Sequence, residues 1–380
     1  MAGDAASGGT EDSAHGLRRL ACAGVRSLKP YEPGKPEEEL RRELGLNRIV
    51  KLASNENPLG PGALAIAAVR DSGGQSHRYP DGNGFALKQS LARKLNVDPA
   101  QITLGNGSDN LFELLARTFL TPEREAVYSQ HGFAMYPIVT QTAGARAVEV
   151  PARDWGHDLE AMLGAVTART AIVFIANPNN PTGTWVRASE LEHFLAALSP
   201  TVVVVLDEAY CEYVAEPEYP DGIALGAKHP NVVVTRTFSK IHGLGGLRVG
   251  YGVCHPAVAD LLNRARSPFN VSRPAQAGAL AALEDQAHIE HSREVNRSGM
   301  TQLIEGFERL GLEHIPSLGN FVCVKVPGGG VKIFDALLRR GVIVRALSTY
   351  GMPDHLRVTI GTREENEVFL AALAAELGHV

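Results

Sequence analysis

Lys240 sits where an apolar run, "NVVVT", gives way to "RTFSK". Gly243, Gly245, Gly246, Gly250 and Gly252 crowd the residues after it, with Arg248 among them. A lysine in an apolar setting loses its proton more readily, because burial disfavours the ammonium, and the free amine then attacks carbonyl carbon. Three further polar clusters border apolar runs: "NPNNPTG" after "TAIVFIA", "DEAY" after "TVVVVL", and "GNGSDN" before "LFELLARTFL". Taken singly, each has an ordinary explanation as a turn, a solvated acid or a surface lysine. Their order and spacing say more. Asp207 suits a protonated ring nitrogen, while Tyr210 and Asn180 suit a phenolate oxygen. Ser239, Arg248 and the backbone N–H groups opening the "SDNLFELL" helix suit a phosphate, since a helix N-terminus offers donors and arginine a bidentate fork. An aldehyde, a phosphate, a pyridinium and a phenolate together describe pyridoxal 5′-phosphate. The glycines would let backbone approach such a group closely.

The elements that must hold these residues follow from hydrophobic pattern. "TAIVFIA", "TVVVVLDEAY", "NVVVTRTF" and "VGYGVC" are too continuously apolar to have one wet face, so they read as strands buried on both sides of a mostly parallel sheet with helices between. "ITLGNGSDNLFELL" reads as strand, turn and helix, and "SELEHFLAAL" opens with Ser189 and Glu192 in capping-box spacing. In open α/β sheets ligands bind beyond the carboxyl ends of the strands, which is where the polar clusters fall. From about residue 280 the pattern changes to long helical segments and short strands, a smaller α/β domain. The expected division is a flexible tail over 1–22, an arm over 23–55 joining the small domain, a large cofactor-binding domain over 56–280 and a small C-terminal domain over 281–380.

The bulk properties narrow the class. The 380 residues are 44% hydrophobic and 21% charged, ordinary globular values. A net charge of −5 argues against nucleic-acid or anionic-membrane partners. Cys22, Cys211, Cys254 and Cys323 have no paired spacing, the usage of a reducing cytoplasm rather than of disulfides or zinc. The apolar runs are too short to span a bilayer, and the acidic N-terminus lacks the apolar stretch of a secretory signal. His288 and His291 lie one helical turn apart and read as a solvent-facing helix, not a metal site.

"NPNNPTG", "DEAY" and "SKIHGLGGLRVGY" together resemble the aminotransferase family of fold-type-I pyridoxal-phosphate enzymes, over nearly the whole chain after the tail. The resemblance is sharpest to the histidinol-phosphate aminotransferase branch, through "KPYEPGKP", "KLASNENPLGP", "RYPDGNG", "SPFNVS" and "LRVTIGT" in that order. It implies that Lys240 bonds the cofactor aldehyde and moves a proton, that Asp207 keeps the pyridine nitrogen protonated, and that Asn180 and Tyr210 hold the 3′-oxygen. It implies that Phe133 of "HGFAMY" stacks on the ring, where many relatives carry Tyr. Ser108 and Asp109 (through backbone N–H), Ser239 and Arg248 would hold the phosphate. Arg357 would take a substrate carboxylate, and Arg345 and Tyr31 a substrate phosphate, although a solvated strand end suits Arg345 equally well. Tyr79 would reach the partner subunit's cofactor, which implies a homodimer with shared active sites. The implied reaction is histidinol phosphate plus 2-oxoglutarate giving imidazole-acetol phosphate plus glutamate. An aromatic aminotransferase and a phosphothreonine decarboxylase share these motifs. A cofactor-binding regulatory module fits poorly, because no basic helix-turn-helix stretch is present.

Overall fold

A computed structural model describes residues 16–30 and 34–378. Numbered along the chain, β1 (Val50–Lys51) precedes seven strands of one sheet: β2 (Ile102–Gly105), β3 (Glu125–Ser129), β4 (Arg146–Val150), β5 (Thr170–Ala176), β6 (Val203–Asp207), β7 (Val232–Thr237) and β8 (Gly250–Val253). Their order is β2-β8-β7-β6-β5-β3-β4. β8 runs antiparallel to both its neighbours, β2 and β7, and every other pairing is parallel, so the sheet is mostly parallel, as the unbroken apolar runs predict. The strand period of two explains those runs. Ile172 and Phe174 of β5 pack with Phe112, Leu115 and Tyr136 on one face, while Val173 and Ile175 pack with Leu191 and Phe194 on the other. Both faces are covered by helices, so neither can be polar.

The predicted strand–turn–helix after residue 101 forms as β2 and the helix Ser108–Phe119. The predicted capping box does not. The helix Ala188–Ala197 starts two residues earlier than that capping box requires, so the Glu190 carboxylate, not that of Glu192, accepts the backbone N–H of the residue before the helix, Arg187, at 2.9 Å. Ser189 lies inside the first turn, and Glu192 instead pairs with Lys228 at 2.7 Å. The long helical segment after residue 272 is two helices, Arg273–Glu284 and the 24-residue Gln286–Arg309. Asp285 breaks the run and caps the second, accepting the His288 N–H at 3.2 Å.

The C-terminal part carries β9 (His314–Ile315), β10 (Phe321–Lys325), β11 (Val342–Ile343), β12 (Arg345–Ala346) and β13 (His355–Thr359). Four of them form an antiparallel sheet in the order β12-β13-β10-β9, and β11 pairs in parallel with β1. The run "VIVRAL" is therefore divided between two sheets. Register places Arg345 directly across from Arg357, so both arginines project to the same face. Val50 and Leu52 join Phe307, Val324, Val358 and Phe369 in a single core, which ties the N-terminal segment to the C-terminal third of the chain. Among the described residues no helix is long and apolar enough to cross a membrane.

Phe307 is fully buried at the centre of that core. Phe307→Ala should cost about 3–5 kcal/mol of stability, read as a lowered unfolding midpoint of the C-terminal part. A loss under about 1 kcal/mol would mean that the core closes over the gap.

Candidate active site

A cavity of about 170 Å³ opens beyond the carboxyl ends of β5, β6 and β7. It gathers Ser108, Asp109, Phe133, Asn180, Asp207 and Tyr210 from the large sheet and its helices. Ser239, Lys240 and Arg248 reach it from the glycine-rich loop, and Arg345 and Arg357 from the C-terminal sheet. Tyr79 is not part of its wall. That side chain is 78% exposed and stacks on Phe269 with ring centroids 4.6 Å apart. Tyr31 lies outside the described residues.

Asp207 ends β6 and is buried, and burial pushes its carboxyl up to about 7. A hydrogen bond donated by the Tyr136 hydroxyl to Oδ2 at 2.8 Å and the backbone N–H of Ala209 oppose that rise. The Asp109 charge adds to it and the Lys240 charge opposes it. Tyr210 accepts a hydrogen bond from Asn55 Nδ2 at 2.9 Å, which leaves its own O–H available as a donor. Burial pushes its phenol up to about 12, against the opposing pull of Arg357 and Asn55, so it stays protonated at neutral pH. Lys240 donates from Nζ to the Ser54 carbonyl at 3.2 Å and lies 5.5 Å from the centre of the Tyr210 ring.

The glycines have local reasons. Gly107 immediately precedes the helix Ser108–Phe119 with φ +84°, and a Cβ there would meet Arg248 Nη2 at 2.3 Å. A Cβ on Gly250 would meet the Ser108 backbone nitrogen at 2.7 Å. The two absent side chains leave a cradle in which a helix N-terminus and a guanidinium lie together, a combination that binds anions. Arg248 itself has φ +55°, uncommon for a residue other than glycine. Its Nη1 donates to Ser239 Oγ at 3.2 Å and to the Gly245 carbonyl at 3.1 Å, and its Nη2 meets Asp109 Oδ2 at 3.3 Å. The Asp109 carboxylate thus holds the arginine in place.

Arg357 is buried, yet its hydrogen-bond acceptors are neutral: Asn180 Oδ1 at 2.6 Å and the Ala53 carbonyl at 2.6 Å. Its Nε is buried with no partner among the described residues. A desolvated cation with a donor to spare is a receptor for an anionic ligand.

Three residues that residue-type reasoning passed over belong to this architecture. Ser54 and Asn55 line the cavity, and Asn57 donates to the Ile241 carbonyl at 2.7 Å, pinning the lysine loop. All three stand in "KLASNENPLGP", so the motif itself was the available signal. Tyr136 closes "HGFAMY", but nothing local links it to Asp207.

The family model for aminotransferases of class I and II matches residues 47–373. Histidinol-phosphate aminotransferase 1 of Nitrosococcus oceani is 56% identical over 359 residues, 94% of this chain and 97% of that protein. Histidinol-phosphate aminotransferase 2 of Pseudomonas aeruginosa is 56% identical over 362 residues, 95% of this chain and 98% of that one. Among solved structures, the histidinol-phosphate aminotransferase of Sinorhizobium meliloti in complex with pyridoxal-5′-phosphate superposes with a TM-score of 0.84 at 30% identity, covering 94% of this chain and 98% of that one. The cavity, the sheet that builds it and this breadth of similarity agree: the chain belongs to the class I and II aminotransferase family, with the fold-type-I architecture.

Proposed function

We propose that the chain is a pyridoxal 5′-phosphate-dependent aminotransferase of histidine biosynthesis. It exchanges an amino group between histidinol phosphate and 2-oxoglutarate, giving imidazole-acetol phosphate and glutamate, as a cytoplasmic homodimer. One observation carries the reading: Lys240, the buried Asp207 carboxylate and two separate arginine sites, Arg248 and Arg345 with Arg357, converge on one cavity. Relatives of this name at 56% identity over nearly the whole chain support the choice of substrate. The donor set fits the cofactor. The cradle at Gly107 and Gly250 suits its phosphate, Asp207 its ring nitrogen and the Tyr210 hydroxyl its 3′-oxygen.

When bound, pyridoxal phosphate supplies the electron sink that makes a donor's Cα proton acidic. The chain's own residues do the rest. Arg248, Ser239 and the N–H groups of Ser108 and Asp109 hold the phosphate, and Phe133 covers the ring. Asp207 keeps the ring nitrogen protonated by accepting its N–H. Lys240 Nζ would hold the cofactor and would move the donor's Cα proton away and back. Histidinol phosphate has no carboxylate where glutamate has two, so one pocket must take different anions in alternate half-reactions. Arg357 and Arg345, opposed across two strands, present two forks that accept carboxylate or phosphate. The resemblance also assigns Tyr31 to the substrate phosphate. The exposed aromatic Tyr79, which does not line its own chain's cavity, is assigned to the partner subunit's site.

A panel of amino donors with 2-oxoglutarate, read by glutamate release, tests the assignment. Histidinol phosphate should exceed phenylalanine in kcat/KM, and the reverse order would make the enzyme an aromatic aminotransferase. Borohydride reduction of the yellow holoenzyme followed by peptide mapping should fix the cofactor on Lys240, and label on any other lysine would remove Lys240 from its role. Arg345→Ala should weaken histidinol phosphate and glutamate by roughly 2–5 kcal/mol while sparing phenylalanine, which has no distal anion. Equal losses for all three would make Arg345 part of the framework.

Asp207 also sets a pH signature. Its carboxyl lies near 7 when folded, far above the ~3.9 of an unfolded chain. The folded apoenzyme therefore binds the extra proton, and its stability falls as pH rises between those values. Asp207→Asn should raise the apoenzyme's melting temperature at pH 8 relative to wild type while lowering kcat about tenfold to a hundredfold. Unchanged turnover in a cofactor-saturated variant would sink the assignment.

A further inference from the structure

Among the described residues Tyr136 is the largest fully buried side chain, and its hydroxyl is spent on a group 71 residues away. Its ring stacks on Phe174 at 4.7 Å and 7°, with Phe112 edge-on at 5.4 Å and Phe133 edge-on at 5.9 Å. The turn that carries Phe133 to the cavity also seats this ring, since Tyr136 N–H donates to the Phe133 carbonyl at 3.0 Å. Gly132 leaves room for it: a Cβ there would lie 2.9 Å from the Ser129 carbonyl oxygen and 3.4 Å from Tyr136 Cδ2. A ring clamped on three sides allows its hydroxyl little choice of direction. It points at Asp207 Oδ2, 2.8 Å away. The other carboxylate oxygen, Oδ1, has a longer 3.5 Å contact from Thr235 Oγ1 on the neighbouring strand.

We propose that Tyr136 is a positioning residue: its hydroxyl fixes the orientation and the ionised state of the Asp207 carboxylate, and through it the grip of this chain on the cofactor's ring nitrogen. The inference rests on the aminotransferase reading above and adds to it a residue that touches neither substrate nor cofactor. The physics is that of a carboxylate taken out of water. Burial favours the protonated acid, which accepts a pyridinium N–H only weakly and does not offset its charge; a donor fixed on one oxygen favours the anion and leaves the second oxygen for the ligand. Burial also holds the Tyr136 phenol well above its ordinary value, so it remains a donor at any working pH. The other groups acting on Asp207 are the Asp109 charge, which opposes ionisation, and the Lys240 charge and Ala209 N–H, which favour it. The Thr235 hydroxyl also contacts it.

The test is cofactor affinity against pH. Apoenzyme is titrated with pyridoxal 5′-phosphate, followed by absorbance, on both sides of pH 7 for wild type, Tyr136→Phe, Asp207→Asn and the double variant. Tyr136→Phe keeps the stacked ring and removes only the donor. Its affinity should fall about tenfold at neutral pH. Without the donor Asp207 holds its proton to higher pH, so the pH at which affinity reaches half its plateau should move upward. Groups common to both proteins, Lys240 and the cofactor phosphate included, cancel in that difference. In the Asp207→Asn background the same change should alter affinity by less than about twofold. A lower apoenzyme melting temperature with affinity and pH midpoint unchanged, or equal losses in both backgrounds, would make Tyr136 a packing residue and overturn the inference. Should Tyr136→Phe alone not fold, the double variant decides. Recovery of folding once the lone carboxylate is gone supports the coupling, and failure of both overturns it. A wild-type chain that does not bind the cofactor at any pH would overturn the proposed function itself, a result distinct from either.

Discussion

A carboxylate and a guanidinium are buried around the same cavity, and neither neutralises the other. Asp207 is satisfied by a phenol and backbone, Arg357 by an amide oxygen and a carbonyl. A direct ion pair would relieve both desolvation penalties and would consume the two charges that a zwitterionic reaction centre needs. Holding them apart with neutral partners costs stability in the empty protein. Much of the architecture serves that separation: Asp207 ends a strand of the parallel sheet, whereas Arg357 stands on a strand of the C-terminal sheet.

The segment from Val50 to Asn57 is the tie between the two parts. Val50 and Leu52 lie in the C-terminal core, the Ala53 and Ser54 carbonyls receive Arg357 and Lys240, and Asn55 reaches Tyr210. Asn55 also accepts at Oδ1 from Thr359 Oγ1 at 3.2 Å, two residues beyond Arg357. A stretch of eight residues therefore sets the distance between Lys240, Tyr210 and Arg357. Its asparagines suit the task. Asn55 adopts φ +54°, a conformation that asparagine tolerates better than most residues, and its amide both donates and accepts.

Anion recognition is divided by chemistry as well as by place. At the Ser108 helix the guanidinium of Arg248 already meets a carboxylate, Asp109, and is partly solvated, which suits a permanent but exchangeable phosphate. At the opposed arginines, two cations share one face of an antiparallel pair. Like charges so placed repel unless an anion lies between them, so this end of the cavity favours a charged ligand over an apolar one.

By itself the sequence determined the kind of sheet and which polar residues gather at its carboxyl ends. Lys240, Asp207 and Asn180 are legible because each closes or follows an unbroken apolar run, and such runs are a local property that reports burial on both faces. The helix at Ser108 is legible from the Gly/Asn/Ser turn and the amphipathic pattern after it, and the family motifs added Arg357 and Phe133. What tertiary structure alone decided is how these groups meet. The opposition of Arg345 and Arg357 depends on "VIVRAL" splitting between two sheets, which no periodicity announces. The capping of Ala188–Ala197 by Glu190 turned on a two-residue shift of the helix start, below the resolution of propensity. The bonds of Tyr136 to Asp207 and of Asn55 to Tyr210 join residues 71 and 155 positions apart. Hydrophobic patterning fixes which face of an element is buried; which polar atom a buried hydroxyl then finds is settled only when distant elements pack.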